Sequence, residues 1–282
     1  MLVAVLGAAA CISVPPADVS EASSSGGSSG TTSMGTGMVD TSTTDPATTD
    51  PSSSGTTTST TTGTGSTTAD TATTGESNTL LFSDDFDRPD AEDLGNGWVE
   101  KTPSTYRIVD GVVVGVDNGP SYYNAVWYRP MAVAVSDIEL TVRFRFTVDA
   151  STTTPQLHAR IQPDVASVGS ETAYIGYATS PSDLSVGSVL GGTLSPAIEA
   201  PINPPLETGV WYRLRLRVTG AGPVQLYTAV EEDDGQGGWT IRGEVSGSDN
   251  STDAITTPGT YGVSGDDQQS EIDYDDFEAW EP

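Results

Sequence analysis

The sequence predicts an all-β fold in which two antiparallel sheets pack as a sandwich, and three observations predict it. Apolar and polar residues alternate in run after run over roughly the last 200 residues, the period of a strand with one buried and one wet face. Helical periodicity is absent from every window long enough to matter. Turn signals separate the runs at strand-length spacing, giving about ten to twelve strands in all.

Composition divides the chain first. All 20 aromatic residues and all 11 Lys and Arg residues lie at or beyond Phe82, so the segment before it has almost nothing with which to build a core. Leu2 to Ala10 is a nine-residue apolar run ending in three alanines. As a helix it rises about 14 Å, too short for a ~30 Å bilayer core, and it reads as the apolar region of a secretory signal over residues 1–10. Cys11 follows at once. A Cys directly after small residues resembles the lipobox of bacterial lipoproteins, which implies cleavage before Cys11, a diacylglyceryl thioether on its sulfur, and a lipidated N-terminus over residues 11–19. The motif departs from that pattern twice: no Lys or Arg precedes the apolar run, and Ala8 stands where Leu is more usual. A start upstream of Met1 would account for the first. Residues 20–79 hold 14 Ser, 21 Thr and 9 Gly. Such a segment buries too little apolar surface to offset its chain entropy, so a disordered stalk spanning on the order of 40–45 Å is expected.

The remaining residues, 80–282, form one domain. Ile138, Leu140, Val142, Phe144, Phe146 and Val148 share one face of the clearest strand, with Glu139, Thr141, Arg143, Arg145 and Thr147 opposite. Tyr212, Leu214, Leu216 and Val218 repeat the device against Arg213, Arg215 and Arg217. Leu157, Ala159 and Ile161 do so against His158 and Arg160, and Val224, Leu226, Thr228 and Val230 form a fourth set. Asp110-Gly111 between apolar stretches is a hairpin signal, and the acidic, Gly-rich run from Asp233 to Gly238 marks a second hairpin with a longer loop.

The opening Leu81-Phe-Ser-Asp-Asp-Phe-Asp-Arg88 with Leu94-Gly-Asn-Gly-Trp98, and the closing Gly259-Thr-Tyr-Gly-Val-Ser-Gly265 with Ile272-Asp-Tyr-Asp-Asp-Phe277, resemble concanavalin A-like, laminin-G-like jelly-roll domains of secreted bacterial proteins. The resemblance covers roughly Leu80 to Pro282 and implies a jelly-roll sandwich whose first and last strands pair side by side. Its motifs speak for a fold more than for a function.

Several chemistries are excluded or weakened. A net charge of −28 with one lysine, Lys101, repels a phosphate backbone, so nucleic acid is not a partner. A lone Cys11 allows no intrachain disulfide and no cysteine zinc site. One Gly-x-Ser-x-Gly match, Gly26 to Gly30, lies in the stalk without the strand and helix a nucleophile elbow needs. The only histidine, His158, falls on a polar strand face, where a solvated side chain is expected. Glu271-Ile-Asp-Tyr-Asp-Asp-Phe-Glu278 resembles the Glu-Ile-Asp-x-x-Glu signature of laminarinase-type glycoside hydrolases. Asp276 stands where the second Glu belongs, and the run lies at the extreme C-terminus rather than on a central strand.

Two sites are left. Asp84, Asp85 and Asp87 on the first strand and Asp273, Asp275 and Asp276 on the last would converge if those strands pair, offering the oxygen ligands calcium takes. The jelly-roll resemblance places a structural calcium at Asp85 with Asp275 or Asp276. Carbohydrate needs flat rings to stack on and polar groups at their edges. Tyr122, Tyr123, Trp127 and Tyr128 form the densest aromatic cluster, Trp239 is a second candidate, and Arg143 and Arg145 line a polar strand face. Trp98, Trp211 and Trp280 are expected in core or edge packing. The domain's 32 acidic against 11 basic residues favour neutral or cationic partners. The sequence thus predicts a lipid-tethered domain of the bacterial cell envelope that binds a glycan or other surface ligand without catalysis. The alternatives are a glycosidase using Glu271, Asp273 and Asp276, and a purely structural or adhesive surface domain.

Overall fold

The computed structural model describes residues 78–116, 126–148, 154–166, 170–195, 197–265 and 271–282. The signal, Cys11 and all but the last two residues of the stalk lie outside them, as do Tyr122 and Tyr123.

Sixteen strands follow in order: β1 (Thr79–Asp84), β2 (Val99–Glu100), β3 (Tyr106–Val109), β4 (Val112–Gly115), β5 (Trp127–Tyr128), β6 (Ile138–Phe146), β7 (Gln156–Ile161), β8 (Ala173–Ser180), β9 (Asp183–Leu190), β10 (Thr193–Leu194), β11 (Ile198–Pro201), β12 (Tyr212–Thr219), β13 (Val224–Asp233), β14 (Trp239–Asp249), β15 (Thr260–Ser264) and β16 (Ile272–Glu281). They form two eight-stranded antiparallel sheets. The first runs β14-β13-β12-β6-β16-β4-β3, with β1 beside β16; the second runs β10-β9-β8-β7-β15-β5-β2, with β11 beside β9. The domain is the expected all-β sandwich.

Period-2 patterning decides which faces meet. Ile138, Leu140, Val142, Phe144 and Phe146 of β6 are all fully buried, and Leu214, Leu216 and Val218 of β12 join them. Val148, expected on the same face, is exposed beyond the end of β6. The hairpin at Asp110-Gly111 has positive φ at both residues, 50° and 76°, the geometry of a two-residue turn whose twist matches its strands.

β1 and β16 pair, Asp84 opposite Phe277, as the resemblance implies. The other flank of β16 pairs with β6 along nearly its whole length. The C-terminal strand is therefore interior, not the edge strand its position in the chain suggested. β7 is a second departure. All six of its residues are buried, polar and apolar alike, so the outer face of the second sheet is covered where it was expected to be wet.

Candidate functional site

The outer face of the first sheet gathers charged and aromatic side chains from five strands. In an interior strand of known register, alternate residues point outward; in β16 these are Asp273, Asp275 and Glu278. A bulge adds a fourth. Asp275 pairs with Arg143 but Glu278 with Thr141, so one residue is extra, and Asp276 there has φ of 44°. The bulge brings Asp276 onto the same face, where its Oδ2 accepts a 2.7 Å bond from Arg143. Arg145 donates to Asp273 at 2.8 Å. Arg213 and Arg215 donate to Glu231, and Arg215 also to Glu139 at 2.6 Å. The face is a ladder of crossed Arg–carboxylate pairs.

Two tryptophans are set among these guanidiniums. Arg143 and Arg145 lie 5.1 and 4.7 Å from the ring centre of Trp211, and Arg213 lies 4.1 Å from that of Trp239. Cation–π contact holds each ring flat against a charged plane. Between Trp239 and the β1–β16 pair opens a groove of about 480 Å³, lined by Asp85, Asn96, Arg143, Arg213, Trp239 and Asp276 among others.

The carboxyls in and next to the groove differ in electrostatics. Burial and the neighbouring Asp276 push Asp275 up to about 6, with Asp85 adding to the effect. Its folded value thus lies above the ordinary carboxyl range near 4. By linkage, the stability this group contributes is full below about pH 4 and lost as pH rises through about 6. We expect Asp275→Asn to stabilise the domain at pH 7 by on the order of 1 kcal/mol, discounted for its partial exposure, and to leave it unchanged at pH 4. Denaturant titrations at the two pH values check this; equal effects at both would contradict it.

Asp84 behaves oppositely. It is buried, and burial alone would raise its carboxyl. Arg88 at 2.6 Å, the Trp98 indole at 2.8 Å and the Phe86 amide at 3.1 Å outweigh that and hold it lowered. It braces the start of the sandwich.

The calcium expectation meets a poor fit. Asp84 is spent on Arg88 and Trp98, Asp276 on Arg143, and Asp275 accepts from the Asp276 amide at 2.9 Å. Among the described residues no three His, Cys, Asp or Glu side chains are grouped to hold a metal ion. Asp276 and Asp85 act on Asp275 as like charges that raise its carboxyl.

The aromatic expectation needs correcting at Trp127. It is fully buried, its ring 4.6 Å from Trp98 and 5.6 Å from Phe86, within a cluster that includes Tyr274 and Phe277. No ligand reaches it. Tyr128 is also buried. Trp211, expected in core or edge packing, instead lies against Arg143 and Arg145 on the outer face of the first sheet. Arg143 and Arg145 keep their place there, and Trp239 lines the groove.

His158 is the largest surprise. It is fully buried on the covered face of the second sheet, with Nδ1 2.5 Å from Glu171 Oε1 and Nε2 2.7 Å from Ser264 Oγ. The Ser264 hydroxyl also reaches Gln156 Oε1 at 3.3 Å. Glu171, His158 and Ser264 thus form one continuous run of hydrogen bonds, the residue types of a Ser-His-acid relay. All three residues have no exposed surface, so in this state the relay is a brace rather than an open nucleophile.

No protein-family model and no curated protein matches the sequence. Solved structures resemble the sandwich as a whole. A xylan β-1,4-xylosidase from Bacillus halodurans C-125 is 17% identical with a TM-score of 0.46 over 70% of this chain, which spans only 38% of that enzyme. The carbohydrate-binding module CBM66 from Bacillus subtilis is 12% identical, TM-score 0.42, covering 66% of this chain and 92% of its own. SCLam, a non-specific endo-β-1,3(4)-glucanase of family GH16, is 11% identical, TM-score 0.46, covering 73% and 91%. None of them lends a residue or a ligand to this chain.

Proposed function

We propose that the outer face of the first sheet binds carbohydrate without cleaving it, in the groove between Trp239 and the β1–β16 pair. One observation carries the reading: Trp239, held flat by Arg213 at 4.1 Å, stands beside a groove whose other walls are planar amide, carboxylate and guanidinium groups. A flat ring for a sugar face and fixed polar groups for its hydroxyls are the two things such a ligand needs. Residues 1–79 add a location to this reading, in which lipidated Cys11 and the Ser/Thr-rich stalk hold the domain out from an envelope membrane. Loss of membrane partitioning in Cys11→Ser tests that part.

A glycan screen of the full chain, repeated with Trp239→Ala, tests the binding. We expect at least one neutral oligosaccharide to bind, and the variant to lose roughly tenfold or more in affinity, the scale of an aromatic hot spot. Binding unaffected by Trp239→Ala would overturn the site.

A second reading has a specific observation behind it. β16 is interior, Asp276 lines the groove, and Asp275 is pushed up to about 6 beside an Arg-paired Asp276. Carboxyls whose environments separate them in this way can divide acid and base roles in glycoside cleavage. Reducing ends released from a bound oligosaccharide, and lost in Asp276→Asn, would favour it over simple binding. Glu271 is not among the residues lining the groove.

A further inference from the structure

The same face carries a second, larger groove at its other end. Its volume is about 850 Å³, and Arg217, Thr219, Gln225, Tyr227, Ser246 and Ser248 line it together with Asp137 and Pro282. Arg213 lines the first groove and Arg217 the second, four residues along β12, so these two guanidinium-bearing positions are about 13 Å apart at strand rise.

The chemistry of this end differs from that of the first. Arg215 is consumed by Glu139 at 2.6 Å and by Glu231 at 3.1 Å. Arg217 is not. Its one ionic contact among the described residues is to Glu139 Oε2 at 3.8 Å, on a carboxylate already bonded to Arg215, and its side chain is 49% exposed. The guanidinium lies 5.4 Å from the ring centre of Tyr227, which fixes its plane, while the Tyr227 hydroxyl is engaged in donating to Glu244 at 3.0 Å. Thr219, Ser246 and Ser248 add hydroxyls and Gln225 an amide. Asp137, which also lines the groove, accepts on Oδ1 from the Gly220 amide at 2.9 Å and from Arg160 at 3.3 Å. An oriented guanidinium whose ionic contact is an oxygen of the shared Glu139 carboxylate at 3.8 Å, set beside hydroxyls and an amide as well as Asp137, can take a planar or tetrahedral oxyanion in its fork.

We propose that this groove is a subsite for an anionic oxyacid group, a carboxylate or sulfate, carried on a saccharide. The inference rests on glycan binding at the same face and assigns its second end. It runs against the domain's overall charge, yet long-range repulsion is screened beyond a Debye length of about 8–10 Å, whereas a contact with Arg217 is not. Local chemistry decides the subsite.

The test compares oligogalacturonate, the same oligosaccharide after carboxyl reduction, and a sulfated oligosaccharide, each titrated calorimetrically against the full chain and against Arg217→Gln. We expect an acidic form to bind about tenfold or more tighter than the reduced form, and Arg217→Gln to erase that difference. Which of the two acids shows it identifies the group. Equal binding of acidic and neutral forms, or a preference that survives Arg217→Gln, would overturn the subsite. A neutral oligosaccharide that still binds through Trp239 in that case would leave the first groove's reading standing; no binding by any form would remove both. Unchanged melting of Arg217→Gln, a substitution at an exposed side chain, shows that the comparison is of folded proteins.

Discussion

Replacing His158 with Leu is expected to cost the domain about 3–5 kcal/mol, the scale on which a buried carboxylate left without its partner destabilises a fold. The reason lies in what remains. Glu171 has no exposed surface, and among the described residues its Oε2 has no hydrogen-bond partner, so the His158 contact at 2.5 Å is what satisfies the other oxygen. Removing the imidazole strands the whole carboxylate and leaves the Ser264 hydroxyl with Gln156 alone at 3.3 Å. Total stabilities of domains run about 5–15 kcal/mol, so the loss threatens folding itself. The control is Glu171→Leu combined with His158→Leu. An apolar replacement of both partners can be nearly neutral, so the double variant should recover much of what each single variant loses. Urea titrations of the three variants decide it. A single-variant loss under about 1 kcal/mol would mean that water or a shifted chain satisfies Glu171 and that the brace is incidental.

Asp84→Ala is expected to be nearly as costly, about 3 kcal/mol or more, because three donors converge on a side chain that is 2% exposed. Arg88, the Trp98 indole and the Phe86 amide would all lose their acceptor. At about 2–4 °C per kcal/mol for a domain of this size, melting should fall by roughly 6–12 °C. The pH dependence has a definite sign. The folded carboxyl is lowered, so its stabilisation is present above the ordinary value near 4 and fades as pH falls below that. The gap between wild type and variant should therefore narrow as pH falls below about 4. A gap that stayed constant from pH 7 to pH 2 would show that packing, not charge, is what Asp84 supplies.

How far the fold was legible follows from where alternation could operate. β6 runs nine residues, long enough for five buried positions to announce themselves, and the Asp110-Gly111 turn needs only its own two residues. β5 is two residues long, and no period exists in two residues, so Trp127 could not be told from a surface ring. Trp211 immediately precedes β12, where its side is set by the neighbouring Arg143 and Arg145 rather than by its own strand. The polar residues of β7 misled for another reason. A strand's pattern records residue type, while burial of its second face depends on what the rest of the chain lays over it. His158 looked wet because histidine on an alternating strand usually is. Glu171, its partner, sits outside any strand and carried no signal.

The candidate site was legible in its charges and not in its geometry. Arg143, Arg145 and Asp276 were visible as residues of interest, and the face they share is the one their alternation indicated. The bulge that brings Asp276 beside Asp275 was not visible, because a single extra residue in a strand leaves the sequence pattern almost unchanged. Nor was the interior position of β16, which chain order alone made look like an edge.

The most direct measurement is amide and indole chemical-shift mapping of the protein as the best oligosaccharide from the screen is titrated in. Shifts are expected to concentrate at the Trp239 indole, Arg213, Asn96 and Asp85, with the amides of β7 and β15 unmoved. Shifts centred on the second sheet, or a bound sugar that leaves Trp239 untouched, would contradict it.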